Sequence, residues 1–296
     1  MNAPHGTILV FGATSQIGRA LSGEPGVTVL SRQEADLTDA RRCVQRMEEH
    51  APTAVINAAC HGDIDGAETS RGRAFLVNGR APGTLARHCA SRGIPFIHMS
   101  SEFVFSGDGS APWTPESPTA PCQAFGRSRL RGEQQVRAAA GVHAILRTSW
   151  LFSAQGRNLL RSLLRAAGAR DRLAVRADLV AQPTPAAAAA AAAVQIAKTL
   201  AERPDLSGTY HFAGDAPASL ADVAREAVAA AGLDVKITSQ HHASAVPWLA
   251  PRPVNGRLDT QRTKDVFGIA APDWRADLAR TARRVQDARR AAGKAA

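Results

Sequence analysis

Three groups of residues in this 296-residue chain have the types and spacing to do chemistry. The first is the turn Gly12-Ala13-Thr14-Ser15-Gln16-Ile17-Gly18, which follows the apolar run TILVFG and opens a helical stretch. Glycine allows a tight turn there, the backbone can approach a pyrophosphate, and the start of the helix offers free N–H groups. Ser15 stands at the middle glycine position; its hydroxyl can bond a phosphate, or its Cβ can crowd one. A tight turn with no ligand is the plain alternative. The second group follows the next strand as Ser31-Arg32, with no carboxylate at the strand end. A carboxylate there would hold the ribose hydroxyls of NAD, so Arg32 points to the 2′-phosphate of NADP. Asp36 and Leu37, in ADLTD, sit near an adenine or simply begin the next helix. The third group holds side chains able to carry a proton: His61, and Ser101 with Glu102. Plain readings stand beside these, with His61 as a loop or substrate-contact residue, Glu102 as a local cap or pair, and Cys122 as inert.

Those groups need elements to position them, and the first half of the chain supplies an alternation. Strands are predicted at 7–12, 27–30, 54–57, 94–99 and 142–147. Helices are predicted from Gln16 to Leu21, over 39–50, from Arg71 to Arg92 with Gly93 ending it, and late in 116–140. Continuous apolar strands alternating with helices predict an α/β fold, a doubly wound parallel sheet covered on both faces. Beyond residue 150 the rhythm loosens. Pro185 and the alanine run after it predict a plain helix, 208–214 a strand, 219–231 a helix between an N-cap at Ser219 and a C-cap at Gly232, and 272–292 a terminal helix. The stretch 241–256 reads as a loop near a site.

Bulk composition narrows the class. The 45% apolar fraction is ordinary for a globular protein, and no apolar run approaches the length of a membrane span. The N-terminus lacks the basic and small-residue features of a signal peptide, and four scattered cysteines predict reduced thiols, no metal site and a cytoplasmic protein. The net charge of +10 comes almost wholly from arginine, with only four lysines. Without aromatic interleaving or a nucleic-acid motif, it fits attraction of anionic small molecules better than nucleic-acid or membrane binding.

Taken in order, GATSQIG, ADLTD, VINAAC, AFLVNGRAPGTLA, HMSSEFVFSGDG, PTAPCQAFGRSRLRGE, LRTSWLF, AQPT, GTYHFAG and RPVNGRLDT resemble the dTDP-4-dehydrorhamnose reductase family, extended short-chain dehydrogenase/reductases of nucleotide-linked keto sugars. The resemblance covers about residues 7–260. It implies a Rossmann-like dinucleotide-binding domain over 1–150, with later segments returning to it, and a smaller sugar-nucleotide domain mainly over 151–296. It implies NADPH as cofactor and a nucleotide sugar as partner, and leaves open a homodimer or a partner protein. Gly12, Thr14, Ser15, Gln16, Ile17, Gly18, Arg32, Asp36, Leu37, Asn57, Ala58, Ala59, Asn78 and Arg129 fall at its cofactor positions. Glu102, Phe103, Trp150, Arg252 and Asn255 fall at its substrate positions, and Arg147, Thr148 and Ser149 lead toward the nicotinamide.

The resemblance also exposes a loss. The family's catalytic Thr or Ser matches Ser101, but its catalytic Tyr matches Phe125 and its Lys matches Arg129. A phenyl ring has no proton to give, and a guanidinium does not deprotonate. The chain's single tyrosine, Tyr210, lies far downstream. Phe103 and Phe152 also stand where tyrosines are expected, so several hydroxyls of one pocket would be missing together. His61, Ser101 and Glu102 are the substitutes on offer. Two functions are compatible with this: a reductase of a nucleotide-linked 4-keto-6-deoxy sugar with an altered proton donor, or a non-catalytic relative that binds the same ligands.

Overall fold

In the computed structural model, which describes residues 7–241 and 248–294, the predicted alternation becomes a series of strand–helix units. β1 (Ile8–Phe11) leads to α1 (Gln16–Leu21), β2 (Val27–Leu30) to α2 (Ala40–His50), and β3 (Ala54–Asn57) to α3 (Ile64–Thr69). A near-continuous helical stretch follows: α4 (Arg71–Ala74), a π-helical segment over Phe75–Arg80, and α5 (Ala81–Ser91). Gly93 ends it with φ +65°, a conformation that glycine adopts without strain. β4 (Phe96–Ser101) passes through a 3-10 turn at Glu102–Val104 on the way to α6 (Ala124–Ala138) and β5 (His143–Thr148).

The second half contributes β6 (Leu151–Phe152), α7 (Leu159–Ala167), β7 (Arg172–Arg176), β8 (Val180–Ala181), β9 (Thr184–Pro185) and α8 (Ala186–Glu202). Then come β10 (Gly208–Phe212), β11 (Ala218–Ser219), α9 (Leu220–Ala230), β12 (Lys236–Gln240), β13 (Asn255–Gly256), α10 (Gln261–Phe267) and α11 (Trp274–Lys294). One six-stranded sheet runs β10-β5-β4-β3-β1-β2, with every neighbouring pair parallel. β10 pairs with β5, so a segment well past residue 150 completes the sheet.

Strand residues alternate between two cores, as a period of two requires. Val10, Ile56 and Leu146 face α1 and α8, while Leu9, Phe11, Val55 and Ile145 face the side of α2 and α5. The alanine run explains how α8 fits: Ala186, Ala189, Ala190, Ala193 and Ala197 are buried in the first of these cores, where small side chains let a helix lie close. A separate core joins Phe152, Leu160, Leu164, Leu220, Val223, Trp274 and Leu278 from β6, α7, α9 and α11.

Some boundaries differ from the sequence reading. The fourth strand starts at Phe96, after Gly93 and Pro95, and therefore carries Ser101 at its end. The C-cap of α9 is Ala231, and Gly232 follows it at φ +61°. Asn255–Gly256 forms a short strand against β8 inside the stretch read as loop; residues 242–247 of that stretch lie outside the described residues. Among the described residues no helix is long and apolar enough to cross a membrane.

The turn between β1 and α1 is closely packed. A Cβ on Gly18 would sit 2.1 Å from the Gly12 carbonyl oxygen, whereas one on helical Gly72 would meet nothing within 4 Å. We predict that Gly18→Ala lowers the urea midpoint markedly. Gly72→Ala should raise it, by about 0.5–1 kcal/mol of stability, through helix propensity alone.

Candidate active site

The groups singled out in the sequence converge on the C-terminal edges of β1, β3 and β4, where ligands of open parallel sheets bind. At β1 the chain turns with Gly12 at φ +113°, and a Cβ there would lie 2.7 Å from the Ala59 nitrogen. Gly12 thus lets the first turn pack against the turn after β3. Ser15 is the N-cap of α1, its hydroxyl oxygen accepting from Gly18 N at 2.9 Å. Thr14 is exposed beside it. Gln16 ties the turn to the second half of the chain, donating to Leu151 O at 3.1 Å and accepting from Ser153 Oγ at 2.9 Å. The side chains of Ile17 and Leu37 are buried in the two cores of the sheet, so their main chain is what faces this edge.

Beyond β2, Arg32 is exposed, with its Nε 4.0 Å from Asp36 Oδ2. The Asp36 carboxylate accepts from both Thr38 N and Thr38 Oγ, which with Arg32 and Arg73 holds its pKa below the usual carboxylate value. The start of α2 is capped instead by Asp39, which accepts from Arg42 N at 2.9 Å. Arg73 of α4 adds its charge at this corner, which sequence reading missed because only the fold brings the helix near Asp36.

After β3, Asn57 Oδ1 accepts from Ala59 N and its Nδ2 meets His98 Nδ1 at 3.2 Å. Ala58 N donates to Phe11 O, so residues 57–59 clamp β1 to β4. Asn78, in the π-helical segment, accepts from His61 N at 2.7 Å and donates to His61 O and to Ser128 Oγ. Asn78 therefore organises the loop at His61 through main-chain contacts. The His61 ring leaves its Nδ1 buried without a hydrogen bond.

Ser101 caps the 3-10 turn, accepting from Phe103 N, and donates to Glu102 Oε2 at 2.6 Å. Glu102 is only 4% exposed. Burial pushes its carboxyl up to about 7, against hydrogen bonds from Ser101 and from the main chain at residues 102 and 150. Phe103 and Phe125 meet edge to face at 5.5 Å in a small apolar cluster with Ala67, Ala74 and Ala124. Phe152 does not join them; it lies in the core of α7, α9 and α11. Phe103 and Phe125 are thus adjacent, and the expectation that Phe152 shares their pocket is corrected.

Arg129 of α6 is tied to the sheet. Its guanidinium is buried and donates to Met99 O in β4, and its Nε has no partner. Nearby, Glu133 of α6 pairs with Arg147 of β5 through two bonds, at 2.7 and 2.9 Å, and accepts from Ser100 Oγ at 2.6 Å and from Arg137 at 2.9 Å. Burial would raise the Glu133 pKa, but the Arg147 hydrogen bonds and charge, with Ser100 and Arg137, hold it at about 2. Burial, with the Arg129 charge for His98 and the Arg147 charge for His211, drives both imidazoles down to about 3, so they are neutral. Sequence reasoning placed Arg147 on the path to the nicotinamide and missed Glu133; an arginine inside an apolar strand was the available signal that an acid must face it.

On the opposite wall, Trp150 stands at φ +40° and its main chain bonds Glu102. Arg252 makes a bidentate pair with Asp65 at 2.9 and 3.0 Å and lies over the Trp248 ring. Asn255 is not a free substrate contact: buried, it donates to Asp108 O and Ala111 O and accepts from Arg257, which fixes the 108–111 loop. Tyr210 lies in β10, where its hydroxyl donates to Leu206 O, and supplies no proton to this edge.

A family model described as the RmlD substrate binding domain matches residues 6–287. The chain belongs to the dTDP-4-dehydrorhamnose reductase family. It is 37% identical over 283 residues to a dTDP-4-dehydrorhamnose reductase of Burkholderia thailandensis, covering 90% of this chain and 95% of that one. It is 30% identical to one from Shigella flexneri, covering 92% and 96%. A dTDP-4-dehydrorhamnose reductase structure from Clostridium acetobutylicum superposes with a TM-score of 0.85 at 28% identity, covering 93% and 98%. One from Bacillus anthracis, solved with NADP, gives 0.85 at 24% identity and shares the fold, with coverage of 93% and 98%.

The buried pair generates a stability prediction. Replacing Arg147 by Met strands the Glu133 charge and should cost about 3–5 kcal/mol, read as a lower urea midpoint. Glu133 is more acidic folded than unfolded, so its contribution is present above the ordinary glutamate pKa and fades as pH falls toward 2. Arg147→Met should therefore move the acid-unfolding midpoint to higher pH.

Proposed function

We propose that this chain reduces the 4-keto group of a nucleotide-linked 4-keto-6-deoxy sugar with NADPH, without the phenol its family uses as proton donor. The observation that carries the reading is full-length membership of a reductase family combined with the intact Gly12 turn packed on Ala59. The first turn fits a dinucleotide: Gly12 keeps the backbone free of a Cβ where a pyrophosphate must approach, and Thr14 is exposed beside it. Arg32, exposed at the end of β2 and only 4.0 Å from Asp36, suits the extra phosphate of NADP. The Bacillus anthracis relative, solved with NADP, supports the same cofactor. When bound, the dinucleotide supplies the hydride.

The chain's own residues divide the remaining work. Residues 1–150, completed by α8 and β10, form the dinucleotide-binding part. Much of 151–296 forms the sugar-nucleotide part, with Arg252 offered to the diphosphate once it leaves Asp65. Ser101, at the end of β4, positions the keto oxygen. Phe103 and Phe125 exclude water and hand over no proton. Arg129, tied to Met99 O, holds the end of β4.

The dry Phe103–Phe125 contact also favours a second reading, a relative that binds both ligands and turns nothing over. Assays of NADPH consumption with dTDP-4-keto-6-deoxy sugars separate the two. The reductase reading expects measurable wild-type turnover, with Phe125→Tyr plus Arg129→Lys raising it up to about 100-fold. A silent wild type revived by the double substitution would establish the binding-only reading. For the cofactor, Arg32→Ala should reduce the preference for NADPH over NADH in dissociation constants by about 10-fold or more; an unchanged ratio removes Arg32 from the site.

A further inference from the structure

We infer that Ser101 and Glu102 together deliver the proton that Phe125 cannot, with Ser101 handing it to the keto oxygen and Glu102 refilling Ser101. This rests on the reductase reading above. Two buried glutamates in one fold make the argument. Glu133 is fully buried and faces Arg147 and Arg137, so it is ionised and has no proton to give. Glu102 is 4% exposed, and among the described residues it forms no ion pair. Its partners are the Ser101 hydroxyl at 2.6 Å and main chain at residues 102 and 150, and Gly256 closes over it, a Cβ there lying 3.2 Å from Glu102 Cγ. A carboxyl sealed from water without a cation keeps its proton more easily than it keeps a charge.

Burial, the Ser101 hydroxyl and those main-chain groups set its proton affinity, with no charged neighbour contributing, and they bring it to about 7. Other groups at this edge do not replace it. Arg129 cannot deprotonate, His98 is neutral and closed off, and the hydrogen bonds at His61 are made by its main chain. Ser101 is half-buried at the strand end, so it is the more exposed member of the pair.

The step balances. The C4 carbon gains the hydride, and the C=O π pair moves onto the oxygen. That oxygen takes the Ser101 hydroxyl proton, and the Ser101 oxygen takes the Glu102 proton. The products are an alcohol, the oxidised dinucleotide that gave the hydride, and the Glu102 carboxylate, which regains a solvent proton through the Ser101 hydroxyl between turnovers.

The test uses the full chain with Glu102→Gln, which keeps shape and hydrogen bonding, and with Ser101→Ala and Ser101→Thr. Glu102→Gln should lower kcat by about 100-fold or more while the NADPH dissociation constant holds. Wild-type kcat/KM should be highest below pH 7 and fall as pH rises through about 7, and that fall should vanish in Glu102→Gln. Ser101→Thr, which keeps the hydroxyl, should retain the activity that Ser101→Ala loses. Independently of activity, the infrared difference between wild type and Glu102→Gln should contain a carboxylic-acid carbonyl band that titrates near pH 7. An active wild type matched by Glu102→Gln in rate and pH profile overturns the relay and leaves the reductase reading standing. A missing band overturns the relay whatever the rates. A wild type that consumes no NADPH overturns the reductase reading and the relay with it.

Discussion

The ion pair of Glu133 and Arg147 is the contact on which the site's geometry depends. It joins α6 to β5, and the same carboxylate takes the Ser100 hydroxyl from β4 and Arg137 from the next turn of its own helix. Arg147 reaches on to Pro115 O, against the His211 ring of β10, and over Phe105. Three adjacent strands, one helix and the loop after β4 are thereby registered at the edge where the chemistry belongs. A buried pair contributes little net stability compared with an apolar replacement, but removing one partner is severe, so such a network fixes an arrangement more than it strengthens it. Here the arrangement fixed is the position of Ser100, and with it Ser101 and Glu102 one and two residues along the chain.

The contrast between the two glutamates follows from where their charges can go. Glu133 has two guanidiniums and stays ionised; Glu102 has hydroxyl and amide partners only, and burial raises it to about 7. Environments that push two carboxyls apart in this way are how one scaffold holds both a permanent anion and a neutral acid. The edge-to-face pair of Phe103 and Phe125 offers this pocket no proton.

Much of the fold was legible because it depends on local signals. Strand runs such as AVIN and VHAILR, the cap at Ser219, and the glycine at 93 name their own elements. The π-helical segment at 75–80, the short strand at Asn255–Gly256 and the start of β4 were not legible, since tertiary contacts set them. The site was legible as positions and less so as roles. Gly12 and Ser101 stand where the motif order put them, but Ser15 caps a helix, Asn255 holds a loop, Ile17 and Leu37 fill cores, and Arg129 bonds the sheet. Those differences arise where a residue type serves structure and ligand equally well, and only its neighbours in space decide. Glu133 shows the limit most clearly: nothing within its own helix reveals that Arg147 faces it across the sheet.

The central claim is that a reductase scaffold without its phenol still reduces. The most direct measurement gives the wild-type protein NADPH deuterated at the transferable C4 position, together with a dTDP-4-keto-6-deoxy sugar, and weighs the sugar product by mass spectrometry. The account predicts a product one mass unit heavier than with ordinary NADPH, with the label at sugar C4. Unlabelled sugar recovered unchanged, from protein shown to bind both ligands, would contradict it.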